Sequence, residues 1–110
     1  MADVGKGART IYRICGTDVL VETSDPGDWS TNGMGRSCHL HNKISLRVGM
    51  AHDLEQATLL HEIIHMILDM NSIELPDNEV VVSVLANSLF AFMRDNNHSM
   101  PNHAREKGGE

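Results

Sequence analysis

The sequence is poor in aromatic residues, in basic residues and in long apolar runs. Aromatic residues make up only 4% of the chain, so the core must be mostly aliphatic, with seven methionines available to fill gaps. The net charge of −6 argues against the clustered basic face with which a small domain usually grips nucleic acid. No apolar stretch reaches the roughly 18 residues expected of a membrane span. We therefore expect neither a nucleic acid nor a membrane as a partner.

Cysteine is also scarce, and neither of the two cysteines lies in a Cys-x-x-Cys pair. Cys15 and Cys38 could form one disulfide, but residues 1–9 lack the apolar run of a secretory signal. The reduced, cytoplasmic interpretation is therefore favoured. The length indicates one domain. We expect it to span 10–96, between a flexible N-terminus over 1–9 and a polar, disordered tail over 97–110.

Short β-favouring runs and turn residues dominate the first third of the chain. Within 10–22 these runs flank Gly16-Thr17-Asp18, which is a turn signal and predicts a hairpin or a pair of strands. The following stretch, 24–35, contains Asp-Pro-Gly, Asn-Gly and a further glycine. Residues of this kind favour turns, so the stretch predicts a long irregular loop.

Apolar and polar residues alternate with period two over 38–48, which predicts sheet with one buried face. A hairpin with a three-residue turn at 41–43 would pair Leu40 with Ile44 and keep apolar residues opposite one another. One unbroken strand fits the same alternation. In either arrangement Cys38 falls on the apolar face and is expected in the core.

A first helix is predicted over 54–70. Asp53 can act as its N-cap, and Gln56, three residues later, completes the pattern of a capping box. The segment is apolar on almost every side, and a helix of that composition is expected to be buried.

A second helix is predicted from Asp77 or Asn78, either of which can cap it, to about Asp95. It too is apolar nearly all round, and residues 71–76 connect it to the first helix. The predicted fold class is therefore α+β, with a small sheet packed on two main helices.

The first helix contains His61-Glu62-Ile63-Ile64-His65, an HExxH motif. Residues four apart share a helix face, so both imidazoles can reach one ion, and neutral imidazole suits zinc. Glu62 lies beside the first histidine, where it can accept a proton from a metal-activated water. A buried carboxylate without a partner is costly, which also favours a metal here. The metal-free alternative is two hydrogen-bonded core histidines and a glutamate at the helix surface.

A catalytic zinc usually has three protein ligands and an open position. If the second helix folds back antiparallel, its first turns pass the level of His65, and Glu79 becomes the expected third ligand. Glu79, Ser83 and Asn87 recur every four residues as a polar seam, so Ser83 or Asn87 is expected to support the ligands. The alternative for Glu79 is an acid that favours a helix N-terminus without any metal. The other candidates for the third ligand are Asp69, Asp77, His98 and His103.

The segment Thr58-Leu59-Leu60-His61-Glu62-Ile63-Ile64-His65, followed by Glu79, resembles the short ImmA/IrrE-type metallopeptidases, including compact phage- and prophage-encoded members. The resemblance extends over about 44–96. It implies a minimal zincin-like fold, zinc as cofactor, a glutamate ligand on the second helix, and regulatory proteolysis of a protein such as a repressor. The family's Glu-x-x-Ala-Asn segment is not reproduced, because Ala86-Asn87 follows Glu79 by seven and eight residues.

The expected function is that of a small zinc metalloendopeptidase with His61, His65 and Glu79 as metal ligands. Glu62 would be the general base. The strand over 44–48 would be an edge strand that receives an extended protein substrate. The alternative is a non-catalytic, zinc-stabilised interaction module, for example a phage-encoded host-binding factor. Replacement of Glu62 by Gln distinguishes the two, since a structural site has no use for a base. A third interpretation is a metal-free helical binding module.

Overall fold

The computed structural model describes residues 9–25 and 33–97. The α+β prediction is confirmed. Several predicted features lie outside the described residues. These are the terminal segments, most of the loop over 24–35, and His98 and His103. The elements are the strands β1 (Arg9–Ile14), β2 (Thr17–Ser24), β3 (Gly35–Cys38) and β4 (Lys43–Arg47), a short 3₁₀ turn (His39–His41), and the helices α1 (His52–Met70) and α2 (Asn78–Asp95).

The four strands form one mixed sheet in the order β1-β2-β4-β3. β1 and β2 are antiparallel, β2 and β4 are parallel, and β4 and β3 are antiparallel. The prediction that 44–48 forms an edge strand was therefore wrong, because β4 lies between β2 and β3. Within the described part of the chain, the free edge on this side of the sheet belongs to β3.

The predicted first hairpin is present as β1 and β2, with its turn one residue earlier than expected. Cys15 and Gly16 form the turn, and Ile14 pairs with Thr17. Both turn residues have positive φ, 51° at Cys15 and 77° at Gly16. Two-residue hairpin turns of type I′ require this backbone, because its twist matches that of the strands.

The second hairpin has a different register from the predicted one. Ser37, and not Leu40, pairs with Ile44. Leu40 lies in the 3₁₀ turn and is 86% exposed. Asn42 closes this loop with φ at 50°, a left-handed conformation that asparagine tolerates. As a consequence Cys38 lies on the sheet face away from α1 and is only half-buried, so its predicted place in the core was wrong.

The apolar core lies between the sheet and α1, which packs on β3 and β4. α1 begins one residue before Asp53, after Ala51 as N-cap, and no side chain caps it. The predicted capping box was therefore wrong. Asp53 instead lies in the first turn, where the helix dipole stabilises a negatively charged side chain. Fully buried core residues include Val19, Val21, Ile44, Leu46, Leu59 and Met66.

α2 packs on α1 and begins after Asp77, as predicted. Although α2 is apolar nearly all round, only Val82 and Ala86 are buried. No helix within the described ranges is long and apolar enough to cross a membrane. The large apolar side chains that α2 exposes are Val80, Val84, Leu85, Leu89 and Phe92.

Candidate metal centre

His61 and His65 lie one turn apart on the face of α1 that is turned toward α2. Their Nε2 atoms are 3.1 Å apart, and the ring centroids are 4.8 Å apart. The two side chains are 22% and 17% exposed, so each is largely enclosed while its Nε2 atom stays accessible from α2. The i, i+4 spacing on one continuous helix produces this convergence, as the sequence predicted.

Glu79 reaches the two histidines from the first turn of α2. Its Oε1 lies 3.3 Å from Nε2 of His61, and its Oε2 lies 2.9 Å from Nε2 of His65. Ligand atoms of the three residues all lie within 4.8 Å of one another. The side chain of Glu79 is 75% exposed, so the group opens toward solvent on this side. The structure thus brings together the three residues that were predicted as metal ligands.

The three side chains have the chemistry and spacing of a zinc site. Bonds of about 2.0–2.1 Å in a tetrahedral arrangement place neighbouring ligand atoms about 3.3–3.4 Å apart. The contacts of 2.9, 3.1 and 3.3 Å come close to that spacing. Two imidazole nitrogens and a carboxylate form a His₂Glu set, which leaves a fourth position for water or substrate. The same contacts without an ion would form a hydrogen-bonded cluster of two histidines and one glutamate.

Burial favours the metal-binding form of His61. Desolvation is the largest cause of a lowered pKa at this residue, and the neighbouring His65 adds to it. Glu79 opposes both effects through its charge and its hydrogen bond. A lowered pKa keeps the imidazole neutral, and only the neutral ring binds a metal.

Glu62 is buried beside the two histidines, with 7% of its surface exposed. Burial raises the pKa of this carboxyl, and the charge of Glu79 acts in the same direction more weakly. The charge of His65 and a hydrogen bond donated by the Ser37 hydroxyl lower it. A buried carboxyl with a raised pKa, next to a group with metal-ligand spacing, is typical of a general base or acid.

Two small residues of β3 lie close to Glu62, and neither was predicted from the sequence. A Cβ atom at Gly35 would lie 2.8 Å from Cγ2 of Thr58 and 3.2 Å from Cγ of Glu62. Glycine therefore permits the close approach of β3 to α1, and Ser37 hydrogen-bonds the carboxylate of Glu62. The signal for this contact was the alternation of small residues at 33, 35 and 37, which indicates close backbone approach in a strand.

A cavity of about 350 Å³ lies beside the group formed by His61, His65 and Glu79, which we call the metal-ligand group. Its walls come from α1, from α2 and from the start of β3. Met34 and Leu54 contribute apolar surface to the cavity, and His61 and Glu62 line its α1 side. The polar seam predicted on the second helix forms the α2 wall, which consists of Glu79, Ser83 and Asn87.

The other candidate ligands do not join this group. Asp69 is exposed near the end of α1, and Asp77 is exposed just before α2. Cys15 and Cys38 are both free thiols. In the ranges that the structure describes, His61, His65 and Glu79 are the one set of His, Cys, Asp and Glu side chains with metal-ligand spacing.

Comparisons of this chain with protein-family models, with curated proteins and with solved structures found no match.

Proposed function

We propose that this protein is a small zinc-dependent metalloendopeptidase, with His61, His65 and Glu79 as metal ligands. The observation that carries the proposal is the convergence of these three side chains from two helices beside the buried Glu62. A zinc ion held there would supply Lewis acidity for a substrate carbonyl and for an attacking water. The resemblance of 58–65 and Glu79 to ImmA/IrrE-type metallopeptidases agrees with this activity.

Glu62 is the residue to which we assign proton transfer. It would accept a proton from the attacking water and pass it to the leaving amine. The raised pKa of the buried carboxyl suits both roles, because it lies closer to neutral pH than the pKa of an exposed glutamate. Ser37 holds the carboxylate against β3 through its hydrogen bond and so acts as a positioning residue.

The substrate is expected to bind as an extended segment along β3. The Arg47 N–H donates to the carbonyl of Met34 at 2.8 Å, so alternate residues of β3 direct their backbone groups toward β4. Gly35 and Ser37 then direct theirs toward the free edge, where a peptide strand can pair with them. These two residues also contact Glu62, so a strand bound here lies beside the proposed base.

The cellular setting that fits this proposal is the cytoplasm. Cys15 and Cys38 are unpaired in the structure, as expected of a protein in a reducing compartment. A regulatory protein such as a repressor is the kind of substrate that the family resemblance suggests.

A non-catalytic interaction module is the second candidate function. The observation that favours it is the apolar surface of α2, where Val80, Val84 and Phe92 are each more than half exposed. An exposed apolar patch of this kind often marks a protein-binding surface. In such a module the zinc site would be purely structural, and Glu62 would have no catalytic part.

The first test is metal content, measured by plasma mass spectrometry on protein purified without a metal-affinity tag. We expect about one zinc per chain in the wild type and a loss of zinc in His65→Ala and Glu79→Ala. Glu74→Ala is the matched control, since this exposed acid lies in the connection before α2. A wild-type protein that takes up no zinc would contradict the proposal.

The second test separates the peptidase from the interaction module. A peptide library is incubated with the zinc-loaded wild type and with zinc-loaded Glu62→Gln, and cleavage is followed by mass spectrometry. We expect cleavage by the wild type and at least a hundredfold loss in the variant, roughly the contribution of a general base. If the wild type binds zinc and its cleavage is no faster than that of the variant, the interaction module is favoured.

A further inference from the structure

α2 packs along α1 but buries few of its own side chains. Only Val82 and Ala86 of this helix are buried. Across the described residues, the polar contacts between α1 and α2 are those of Glu79 with His61 and His65. α2 therefore fully buries only two small apolar side chains, and Glu79 supplies its polar contacts with α1.

The sheet and α1 form a core to which α2 contributes no residue. The core cluster consists of side chains from β1, β2, β4 and α1. α1 alone buries six residues, three times as many as α2. This difference indicates that the sheet and α1 can keep their packing when α2 is loosely held.

We propose that metal binding docks α2 onto α1 and thereby assembles the substrate cavity. The inference rests on the proposed metal site. An ion held by two residues of α1 and one residue of α2 is a cross-link between the helices, and its binding energy becomes folding energy for the segment that it joins. Glu79 is 75% exposed, so without an ion water competes for its contacts with the histidines.

The consequence for function is that metal loading controls the cavity as well as the chemistry. Ser83 and Asn87 follow Glu79 at intervals of one helical turn and form the α2 wall of the cavity. When Glu79 is released, this wall moves away from Leu54 and Thr58 on α1. The metal-free protein then lacks the α2 wall of the cavity, so metal supply acts as a switch.

Hydrogen–deuterium exchange of the full chain tests this inference. The metal-free protein, prepared with a chelator, is compared with the protein in equimolar zinc, and native mass spectrometry of the same samples records zinc binding. We expect exchange of the α2 amides over 80–93 to slow by at least about tenfold when zinc binds. The amides of β2 and β4 are expected to change little.

Variants separate the cross-link from zinc binding in general. In Glu79→Ala and Glu79→Gln, the α2 amides should stay rapidly exchanging in zinc, while Glu74→Ala should respond like the wild type. The β2 and β4 amides in the same data report whether each variant is folded. If zinc binds to the wild type and α2 is equally protected with and without it, the docking inference is overturned and the metal site stands. If the wild type binds no zinc, the proposed function is overturned as well.

Discussion

Glu62 is the residue at which stability and the proposed activity conflict. Burial raises the pKa of its carboxyl above the ordinary value of 4.5, so the folded protein favours the protonated form. The stability that this group contributes is fully present below pH 4.5 and is lost as the pH rises through the raised pKa. At neutral pH an ionised Glu62 therefore destabilises the metal-free fold, as expected of a catalytic group kept for its function.

The replacement Glu62→Gln should relieve this destabilisation. In metal-free protein we expect the free energy of unfolding to rise by about 1 kcal/mol near neutral pH and by less at acid pH. Glutamine keeps the shape of the side chain, and its amide can still pair with Ser37. Urea unfolding at the two pH values measures the difference. A variant that is less stable than the wild type at neutral pH would contradict the assigned effect of burial.

Gly35 is the residue that sets the distance between β3 and the proposed base. In Gly35→Ala the new Cβ would lie 2.8 Å from Cγ2 of Thr58, so one of the two elements must shift. We expect a loss of about 1–3 kcal/mol in the free energy of unfolding, as for other overpacked sites. Thr58→Ser removes the opposing methyl group and should recover part of this loss in the double variant. Strict additivity of the two single changes in urea unfolding would contradict the contact.

At the level of elements, features encoded by local spacing were predicted and features set by distant pairing were not. The HExxH face and the seam from Glu79 to Asn87 depend on helix periodicity, which is visible in the sequence. The identity of the edge strand depends on β2 pairing in parallel with β4, and no local pattern signals that pairing. The register around Leu40 failed because Asn42 adopts a left-handed conformation. The exposed apolar face of α2 was not predictable, because composition does not show how much structure is available to cover a helix.

The two faces of α2 offer a matched pair of substitutions. Val82 is fully buried against α1, whereas Val84, two residues later, is 59% exposed. We expect Val82→Ala to lower the free energy of unfolding by about 1–2 kcal/mol, because it removes buried methyl groups and leaves a cavity. Val84→Ala should change it by no more than about 0.5 kcal/mol. Both are measured by urea unfolding in zinc, and equal effects would contradict the orientation of α2.

For the whole molecule, the modest core makes a bound metal an important part of the stability. A domain of 110 residues buries a limited fraction of its surface, and here α2 lies outside the core cluster. A ligand that binds only the folded state adds stability in proportion to the logarithm of its concentration over Kd. Zinc at the proposed site should therefore stabilise the whole chain as well as α2.

The stabilisation by zinc should depend on pH in a direction set by the histidines. Zinc binds neutral imidazole, so its effect is present at neutral pH and is lost as the pH falls. The lowered pKa of His61 acts in the same direction on the metal-free fold. Its stability contribution is present above the ordinary pKa of 6.5 and is lost as the pH falls through the lowered value. Both effects lower the free energy of unfolding as the pH falls.

Thermal unfolding with and without zinc checks this linkage. At a zinc concentration about 100 times Kd we expect about 2.7 kcal/mol of added stability and a rise in Tm of about 10 °C near neutral pH. The rise should vanish at about pH 5 and should be absent in His65→Ala, while Glu74→Ala should behave like the wild type. A rise in Tm that persists at acid pH would mean that zinc binds through carboxylates alone, because only imidazole ligands are lost by protonation in that range. A rise that persists in His65→Ala would mean that zinc binds without His65.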